Sequence, residues 1–379
     1  MKKKVCFVNT HYFPVLGGIT RYTYNLIETL KTKNVDSIIV TLNVCNMSEH
    51  EIVDDVEIYR LESINLMDGR FPILKWSARN RELLKQIFSN NIDLMVINAR
   101  FYYLSLHMAV MARMKKIHAI VIDHGSSHLT MSSALLTKIG EMYEHVVTGM
   151  LKLFCKDFYG VSKASVNWLK HFHIEAKGVL YNAVDITEID KMLENPAIDY
   201  IEKFELPKGA DIVSFTGRLV VEKGILPLIE AVKEIRKKNS NVFLFIAGDG
   251  PLRQQIEREV DNGIFLLGQV ELEEIICLLK QSTILCLPSK SEGFPTSVLE
   301  AVACKCFVSA TKVGGAAEII PGKEYGILLE RNDAEHIEES ILYAVNNSEK
   351  RQKAIELSYD RMVDNFTWEK TAGKIYELI

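Results

Sequence analysis

Short apolar runs rich in β-branched residues alternate along the chain with longer segments in which apolar residues recur at helical spacing. In the N-terminal half the short runs predict strands and the longer segments predict helices. The predicted strands are Val5–Asn9, Ser37–Leu42, Asp93–Asn98 and Ala119–Asp123, and the predicted helices are Thr20–Leu30, Ser77–Phe88 and Leu104–Met114. Because these strands are almost continuously apolar, they indicate a parallel sheet that helices cover on both faces.

The same alternation returns in the C-terminal half. Its predicted strands are Asp211–Thr216, Val242–Ala247, Ile264–Leu267, Ile284–Leu287 and Phe307–Ala310. The segment Ile225–Lys237 places its apolar residues on one face at helical spacing, which is typical of a helix packed on a sheet. The pattern as a whole predicts an α/β fold with two doubly wound sheets.

The segment Asp185–Gly209 separates the two runs of strands. It is acidic, contains two prolines and carries no predicted strand. A length of 379 residues also favours two domains over one. We therefore predict an N-terminal domain of residues 1–185 and a C-terminal domain of residues 186–365, and residues 366–379 add a final amphipathic helix.

Charge is distributed unevenly between the two halves. The whole chain has a formal net charge of −4, which excludes a general electrostatic affinity for nucleic acid. Residues 1–185 carry 22 basic and 17 acidic side chains, a net charge of +5, whereas residues 186–379 carry 23 and 32, a net charge of −9. The two halves are therefore expected to meet different partners.

Cysteine usage and hydropathy restrict the class of protein further. The seven cysteines include no Cys-x-x-Cys pair, which excludes a disulfide scaffold and a four-cysteine zinc site. The apolar run before Asn9 is only about four residues long, too short for a signal peptide. Apolar windows also fall short of the roughly 18 residues of a membrane span. We expect a soluble cytoplasmic protein.

Two glycine-containing or cationic loops follow predicted strands. Gly17 and Gly18 lie between the first strand and the first helix, where exposed backbone amides can bind an anion; the alternative is a plain turn. Arg218 and Lys223 follow the strand Asp211–Thr216, and ligands of open α/β sheets bind at the carboxyl ends of strands. Two cations there suit a diphosphate, against the alternative of a solvated loop.

The segment Ser289–Glu300 carries the strongest signal. It follows a predicted strand, so Glu292 falls in a loop, Gly293 allows a tight turn, and Thr296 or Ser297 can cap a helix that contains Glu300. Carboxylates in such a crevice can accept hydrogen bonds from sugar or ribose hydroxyls. Taken as a bare pattern, two glutamates eight positions apart are more typical of solvated surface, and it is the surrounding loop that makes them candidates.

One histidine also lies at a predicted strand end. His124 and Gly125 follow the strand Ala119–Asp123, which makes His124 a candidate site residue, although a lone histidine is more often structural. His128 and Arg100 lie near the same edge, and we expect them to serve packing or surface roles.

These residues together resemble a known family. The sequence is similar to the retaining, nucleotide-sugar-dependent glycosyltransferases of family four, which have a B-type fold of two doubly wound Rossmann-like domains that face a central cleft. The matching motifs, in chain order, are Pro14-x-x-Gly17-Gly18, His124-Gly125, Tyr181–Asp185, Arg218 through Lys223-Gly224, Ala247–Pro251, Leu267-Gly268 and Glu292 with Glu300. Ala183 is a departure, because the family commonly has Gly there.

The resemblance implies a role for each matching position. Arg218 and Lys223 would neutralise the donor diphosphate, Glu300 would bind the ribose hydroxyls, and Glu292 would hold the transferred sugar. His124 would contact that sugar on the acceptor side. The remaining donor-binding positions implied by the family are Gly17, Gly18, Val270, Gly293, Phe294, Pro295 and Thr296. The final helix would pack back on the first domain.

The resemblance also implies the reaction. A hexose-type sugar would pass from a UDP- or GDP-linked donor to a saccharide or lipid-linked acceptor, with retention of configuration and without an enzymic nucleophile. The chain has no Asp-x-Asp motif, so we expect neither a catalytic metal nor another cofactor. Two alternatives stay open: an inactive sugar-nucleotide-binding protein of the same fold, and an NAD-type dehydrogenase, which the missing G-x-G-x-x-G disfavours.

Basic residues of the first half occur beside an apolar stripe. Arg113, Lys115 and Lys116 cluster at one helix end, and the stretch Met131–Phe158 interleaves lysines with large apolar side chains. This pattern is typical either of a helix that rests on an anionic membrane or of a core-facing helix with solvated lysines. Membrane contact would favour a lipid-linked acceptor in cell-surface polysaccharide or glycoconjugate synthesis.

Overall fold

The chain forms two compact units. The computed structural model describes residues 2–66, 69, 71–128, 134–261 and 263–379. Unit 1 comprises Met1–Asn182 together with Trp368–Ile379, and unit 2 comprises Ala183–Thr367. The units divide slightly before the position of 185 that the sequence suggested.

Unit 1 is an α/β layer structure in which helices and strands mostly alternate. Its strands are β1 (Lys3–Val8), β2 (Val35–Asn43), β3 (His50–Val53), β4 (Val56–Leu66), β5 (Phe71–Leu74), β6 (Leu94–Asn98), β7 (His118–Asp123), β8 (Asp157–Gly160) and β9 (Gly178–Val179). Its helices are α1 (Gly18–Thr32), α2 (Ala78–Ser89), α3 (Tyr103–Lys115), α4 (Ala134–Phe154) and α5 (Lys163–Leu169), joined at the end of the chain by α15 (Trp368–Leu378).

The sheet of unit 1 is largely parallel. Its strand order is β3-β4-β2-β1-β6-β7-β8-β9, with β5 paired to β4. The order reverses between β1 and β6, so this pair marks the topological switch point. The expectation of a purely parallel sheet is wrong at one edge, because β3 and β5 run antiparallel to β4. The β3 residues are mostly exposed, as suits an edge strand.

The C-terminal helix belongs to unit 1. The side chain of Trp368 packs edge-on against Tyr22 of α1, with ring centroids 5.3 Å apart. The Thr371 hydroxyl donates to the carbonyl of Tyr181 at 2.8 Å, and the Lys3 ammonium donates to the carbonyl of Ile379 at 2.9 Å. Buried apolar side chains of α15, among them Ile375, complete the contact with α1.

Unit 2 repeats the architecture with a smaller sheet. Its strands are β10 (Asp211–Thr216), β11 (Val242–Ala247), β12 (Ile264–Gly268), β13 (Ile284–Leu287), β14 (Phe307–Thr311) and β15 (Ile327–Leu329). Its helices are α6 (Ile186–Glu194), α7 (Tyr200–Lys203), α8 (Ile225–Arg236), α9 (Arg253–Ile256), α10 (Leu272–Gln281), α11 (Thr296–Ala303), α12 (Ala316–Ile319), α13 (Ala334–Asn346) and α14 (Ser348–Asn365).

All strand pairs of the unit 2 sheet are parallel, and the strand order is β12-β11-β10-β13-β14-β15. The chain moves outward from β10 through β11 to β12 and then returns to place β13 on the other side of β10. The switch point therefore lies between β10 and β13. The loops that follow these two strands are where an open α/β sheet binds ligands.

Part of the predicted amphipathic stretch in unit 1 falls on residues 131–133, which lie outside the described residues. The described remainder of that stretch forms α4 and β8. Among the described residues, the helices are too short or too polar to cross a lipid bilayer.

Candidate functional site

The two loops at the switch point of unit 2 are joined by an ion pair. Arg218 and Lys223 follow β10, and Glu292 follows β13. Lys223 Nζ lies 2.6 Å from Glu292 Oε1, with the two side chains 25% and 11% exposed. The Lys290 amide also donates to the Glu222 carbonyl at 2.7 Å. The sequence had placed these residues on separate strand ends, and the fold brings the two loops together.

Two glycines hold the loop after β13 from either side. Gly224, at φ +70°, would carry a Cβ only 2.1 Å from the carbonyl oxygen of Pro288. Gly314, at φ +55°, would carry one 2.1 Å from the carbonyl oxygen of Glu292. Both the backbone conformation and the close approach require glycine at these positions. The loop that carries Glu292 is therefore fixed in place by backbone packed directly against it.

The segment from Gly293 to Thr296 enters α11 through a buried aromatic side chain. Phe294 is buried and lies 5.3 Å from the ring of Phe366, while the Gly293 carbonyl accepts a hydrogen bond from the Gly315 amide at 2.9 Å. This packing fixes the direction in which the loop enters the helix. Glu300 follows one turn later on α11 and is half-buried.

The predicted side-chain cap of this helix is wrong. Helix α11 begins at Thr296 with Pro295 at the N-cap position, and no side chain of the described residues caps it. Thr296 lies inside the first turn instead, because the buried Phe294-Pro295 pair determines where the helix starts. The first-turn amides therefore keep their capacity to bind an anion at the switch point.

The loops after β11 and β12 lie on the other side of β10. Gly248, at φ +146°, would carry a Cβ 1.9 Å from the carbonyl oxygen of Gly217, so the loops after β10 and β11 touch backbone to backbone. Val270 follows β12, the edge strand, and packs beside a core that includes Tyr200 and Phe245. Val270 therefore lies two strands away from β10, at the side of the switch point opposite Glu292.

A buried polar network occupies the switch point of unit 1. Asn9 follows β1 and Asn98 ends β6; Asn98 Nδ2 donates to Asn9 Oδ1 at 2.8 Å, and Asn9 Nδ2 donates to the Thr23 hydroxyl at 2.9 Å. His124 Nε2 lies 2.8 Å from Asn98 Oδ1, and its ring packs edge-on against Tyr22 with centroids 5.0 Å apart. The side chains of two switch-point strands thus orient the candidate histidine.

This network determines the protonation of His124. Because Asn98 Nδ2 donates to Asn9, its Oδ1 is the atom that faces the histidine, and His124 Nε2 must carry the proton and donate. Burial lowers the pKa of His124 to about 3. The imidazole is therefore neutral at physiological pH, with its Nε2 committed to Asn98.

The glycine pair before α1 lies in open space. The helix begins at Gly18, and Gly17 has an extended backbone. A Cβ on either residue would meet no atom of the described protein within 4 Å. The fold itself therefore does not require glycine here, whereas close approach of a ligand to the helix N-terminus would.

Arg100 forms a buried charge cluster. Its side chain is 1% exposed, with Nη2 lying 2.8 Å from Glu144 Oε2 and Nη1 lying 3.4 Å from Asp123 Oδ1. Burial raises the pKa of Asp123 to about 6, and the neighbouring Arg100 guanidinium opposes that rise. Arg100 thus has the packing role that the sequence favoured.

The asparagine network of unit 1 was missed by the sequence analysis. Asn9 and Asn98 close two of the predicted strands, and polar residues at two strand ends were the available signal. Their pairing depends on which strands are neighbours, which the topology supplies and the sequence does not.

Family models match both units. The model described as "Glycosyltransferase Family 4" matches residues 16–188, and the model described as "Glycosyl transferases group 1" matches residues 197–361. Together they cover most of the chain, including the switch point of unit 2.

The chain belongs to the family 4 glycosyltransferases.

Curated relatives agree with this membership of the glycosyltransferase family. An uncharacterized glycosyltransferase of Methanocaldococcus jannaschii is 25% identical over 392 residues, covering 99% of this chain and 98% of the relative. The Bacillus subtilis protein named "Putative teichuronic acid biosynthesis glycosyltransferase TuaC" is 27% identical over 306 residues, covering 77% of this chain and 72% of the relative.

Solved structures confirm the fold of this glycosyltransferase. A sucrose-phosphate synthase from Thermosynechococcus elongatus superposes with a TM-score of 0.78 at 18% identity, covering 99% of this chain and 98% of that chain. Anabaena HepE, solved in complex with UDP-glucose, superposes with a TM-score of 0.72 at 17% identity over the same shares of each chain. The expected B-type fold with two Rossmann-like domains is confirmed.

Proposed function

We propose that this glycosyltransferase moves a hexose-type sugar from a UDP- or GDP-linked donor to a lipid-linked or saccharide acceptor, with retention of anomeric configuration. The observation that carries the proposal is the convergence at one switch point of two cations, a carboxylate loop and a helix N-terminus. A nucleotide sugar combines a diphosphate with hydroxyl-rich groups, and this set of side chains matches both parts.

Arg218 and Lys223 bind the diphosphate. A guanidinium can engage two phosphate oxygens at once, and an ammonium supplies a compact point charge. An ion pair with solvent access contributes about 1 kcal/mol or less, so Lys223 gives up its contact with Glu292 at little cost when phosphate arrives. The amides at the start of α11 add partial positive charge from the other loop.

Carboxylates and backbone groups bind the sugar and the nucleoside. Glu292, released from Lys223, accepts hydrogen bonds from hydroxyls of the transferred sugar, and Glu300 accepts them from the ribose. The backbone from Gly293 to Thr296 contacts sugar and phosphate, with Pro295 offering only its carbonyl and Phe294 fixing the direction of the loop. Backbone near Val270 contacts the base.

Unit 1 supplies acceptor-side groups in this proposal. The open backbone at Gly17 and Gly18 allows a phosphate to approach the N-terminus of α1. His124 contacts the transferred sugar as a neutral imidazole. A neutral ring avoids placing a full positive charge beside an anomeric centre that becomes cationic as the leaving group departs.

The proposed chemistry needs no protein nucleophile. The bond between the anomeric carbon and the donor phosphate oxygen breaks, and the acceptor oxygen bonds to the same face of that carbon. The acceptor proton passes to the departing phosphate. Before that proton arrives, the phosphate oxygen gains negative charge as its bond to the anomeric carbon breaks, and Arg218 and Lys223 stabilise this charge, as a metal ion does in other transferases. We therefore propose metal-independent transfer.

An exposed apolar stripe on α4 supports a lipid-linked acceptor at an anionic membrane surface. Six residues at spacings of three and four form one face of the helix, and all six are exposed. They are Leu135, Ile139, Met142, Val146, Met150 and Leu153. Met142 and Val146, at 64% and 56% exposure, lie outside the core formed by the described residues, which favours the membrane interpretation over the core-facing one.

Basic residues and a cavity lie near this stripe, and Met150 of the stripe lines the cavity. Lys138 and Lys156 lie on α4 and just beyond it, and Arg113, Lys115 and Lys116 lie at the end of α3; all five are exposed. A cavity of about 830 Å³ opens between α2, α3 and α4, and it is lined by apolar side chains of these helices together with Arg81, Lys85 and Lys115. Apolar groups ringed by cations suit acyl chains below anionic headgroups.

A thermal-shift screen tests the donor proposal. UDP, GDP, ADP, their hexose conjugates and NADH are added to the full chain. We expect one nucleoside diphosphate and its sugar conjugate to raise Tm, because binding to the folded state alone stabilises it. Arg218→Ala should lose most of the shift, and Lys237→Ala, which removes an exposed cation at the far end of α8, should keep it.

The outcome that contradicts the donor proposal is equally clear. A rise in Tm with NADH alone would favour the dehydrogenase alternative. A nucleotide shift that Arg218→Ala leaves intact would place the diphosphate away from the switch point of unit 2.

A further inference from the structure

Three histidines from separate elements of unit 1 converge at one point. His128 lies in the loop after β7, His145 lies in the middle of α4, and His171 lies in a 3₁₀ helix, Lys170–Phe172, that follows α5. Their ring nitrogens lie within 4.8 Å of one another. His171 Nε2 is 3.1 Å from His128 Nε2 and 3.2 Å from His145 Nε2.

We propose that His128, His145 and His171 bind one Zn²⁺ ion through their Nε2 atoms, with a fourth coordination position open to water. Zinc bonds to imidazole nitrogen are about 2.0–2.1 Å long and tetrahedral, which places two ligand nitrogens about 3.3–3.4 Å apart. The two measured separations are close to this edge length. The third pair of ligand nitrogens also lies within 4.8 Å.

Hydrogen bonding among the three rings alone leaves this arrangement unsatisfied. A ring nitrogen carries either one proton or one lone pair, never both. His171 Nε2 faces two other nitrogens. If it carries a proton it can donate to only one of them, and if it carries a lone pair it competes for two donors. A divalent cation satisfies three lone pairs that point at a common centre.

A buried carboxylate favours the tautomer that zinc needs. His128 Nδ1 lies 3.4 Å from Glu144 Oε2, and Glu144 is 1% exposed and held by Arg100. At this separation the two atoms are not hydrogen-bonded, but the carboxylate favours a proton on Nδ1, which leaves the lone pair of His128 on Nε2, toward the cluster. Zinc-binding histidines usually have a carboxylate or carbonyl beside their second ring nitrogen.

Aromatic side chains hold the rings in place before any ion arrives. Trp168 stacks on His171 at 4.8 Å with the planes 7° apart, and it packs edge-on against His128 at 4.9 Å. Phe172 lies 4.8 Å from His145.

The zinc ion would link the β7–α4 loop, α4 and the 3₁₀ helix. It lies in unit 1, whereas the diphosphate groups of the proposed donor site lie in unit 2. It therefore adds to the proposed function without replacing the cations that act on the donor, and its presence does not depend on sugar transfer.

Metal titration of the full chain, freed of any purification tag and of metal, tests this site. We expect one equivalent of Zn²⁺ to bind in competition with a chromophoric chelator and to raise Tm. One equivalent of Co²⁺ should give the intense visible bands of a four-coordinate site. His145→Ala should weaken Zn²⁺ binding at least tenfold, and His50→Ala, which removes an exposed histidine outside the cluster, should leave it unchanged.

Two results would overturn the zinc proposal. Binding of less than one equivalent of Zn²⁺ by the folded wild-type chain contradicts it, as does equal binding by wild type and His145→Ala. The circular dichroism of each variant shows whether its helix content is retained. If His145→Ala disturbs α4, His171→Asn tests the same ligand set from a different element.

Discussion

His124 illustrates how neighbouring residues set the chemistry of one side chain. Asn98 offers its oxygen because its nitrogen is committed to Asn9, and the histidine must therefore donate from Nε2. Burial keeps the imidazole neutral by lowering its pKa to about 3. The ring thus enters any reaction as an uncharged group of fixed tautomer, positioned by two strands of the sheet.

A histidine titration checks this at the residue scale. The carbon-bound proton signals of the ten histidines are followed by NMR from pH 8 to pH 4.5. We expect the signal that disappears in His124→Gln to stay at its neutral position throughout, because desolvation lowers the pKa of the ring to about 3. A midpoint for that signal between pH 6 and 7 would contradict the account.

The lowered pKa of His124 also makes the free energy of unfolding depend on pH. Below about pH 6.5 the unfolded chain takes up a proton at position 124 and the folded chain does not. The contribution of His124 to the free energy of unfolding is therefore complete above pH 6.5 and falls by about 1.4 kcal/mol per pH unit as the pH drops toward 3. Asp123 acts in the opposite sense, because its raised pKa of about 6 favours the folded state at low pH.

The sequence predicted where the candidate residues lie along the strands, but it did not predict which of their side chains are in contact. Lys223 and Glu292 could be placed after strands because each follows an apolar β-branched run. Their 2.6 Å contact depends on β13 returning to the side of β10, a feature that strand order alone determines. The zinc-site histidines show no regular spacing, so the sequence offered no metal motif for them.

At the scale of elements, the position of the loop that carries Glu292 depends on Gly314, whose backbone packs directly against it. We expect Gly314→Ala to weaken nucleotide binding at least tenfold and to lower the free energy of unfolding. Its Cβ would lie 2.1 Å from the Glu292 carbonyl oxygen, so the loop must move. Isothermal titration with the nucleoside diphosphate found in the thermal screen, together with urea unfolding, measures both effects.

Gly209→Ala is the matched control for this substitution. Gly209 has φ +80°, so it carries the same backbone strain of about 1–2 kcal/mol, but a Cβ there meets no described atom within 4 Å. The difference between the two variants isolates the displacement of the loop. Equal nucleotide affinity in both variants would mean that the position of Glu292 does not matter for binding.

Strand predictions succeeded where burial was complete on both faces. The central strands β1, β6, β10 and β11 are largely apolar runs, and their predicted bounds agree with the structure to within two residues. The sequence analysis missed β3, β4, β5, β8, β9 and β15. Several of these are short, and the mostly exposed β3, with the sequence HEIV, lacks an apolar run.

At the scale of the whole molecule, charge and exposed apolar surface occur together in the N-terminal half. Residues 1–185 carry a net charge of +5, and the stripe on α4 lies in the same unit as the basic end of α3. Each basic residue near an anionic bilayer contributes about 1 kcal/mol, and salt screens that attraction. Membrane binding should therefore depend on both anionic lipid and ionic strength.

Liposome flotation measures this dependence. We expect the protein to float with vesicles rich in phosphatidylglycerol at low salt, and to float less with phosphatidylcholine vesicles or at high salt. Met142→Glu and Val146→Glu should abolish flotation because they place charge on the stripe. Leu357→Glu, at an exposed apolar position of unit 2, should not. Flotation that ignores anionic lipid, or none at low salt, favours a soluble acceptor.

The fold class followed from the sequence, and the finer organisation of unit 1 did not. Two runs of apolar strands separated by an acidic segment predicted two doubly wound sheets, and the superposed structures confirm that fold. The exposed face of α4 could not be distinguished from a core face by periodicity, since both have the same spacing of apolar residues. Only its surroundings in three dimensions separate them.

Donor hydrolysis followed by proton NMR tests the central claim most directly, because water can replace the unidentified acceptor. The chain is incubated with the α-linked hexose conjugate that raises its Tm, and the first sugar released is observed before it mutarotates. The account predicts an α-anomer and one nucleoside diphosphate per sugar, unchanged by a metal chelator, with turnover at least a hundredfold lower in Arg218→Ala than in Lys237→Ala. Release of the β-anomer, or a donor that binds and is never consumed, would contradict it.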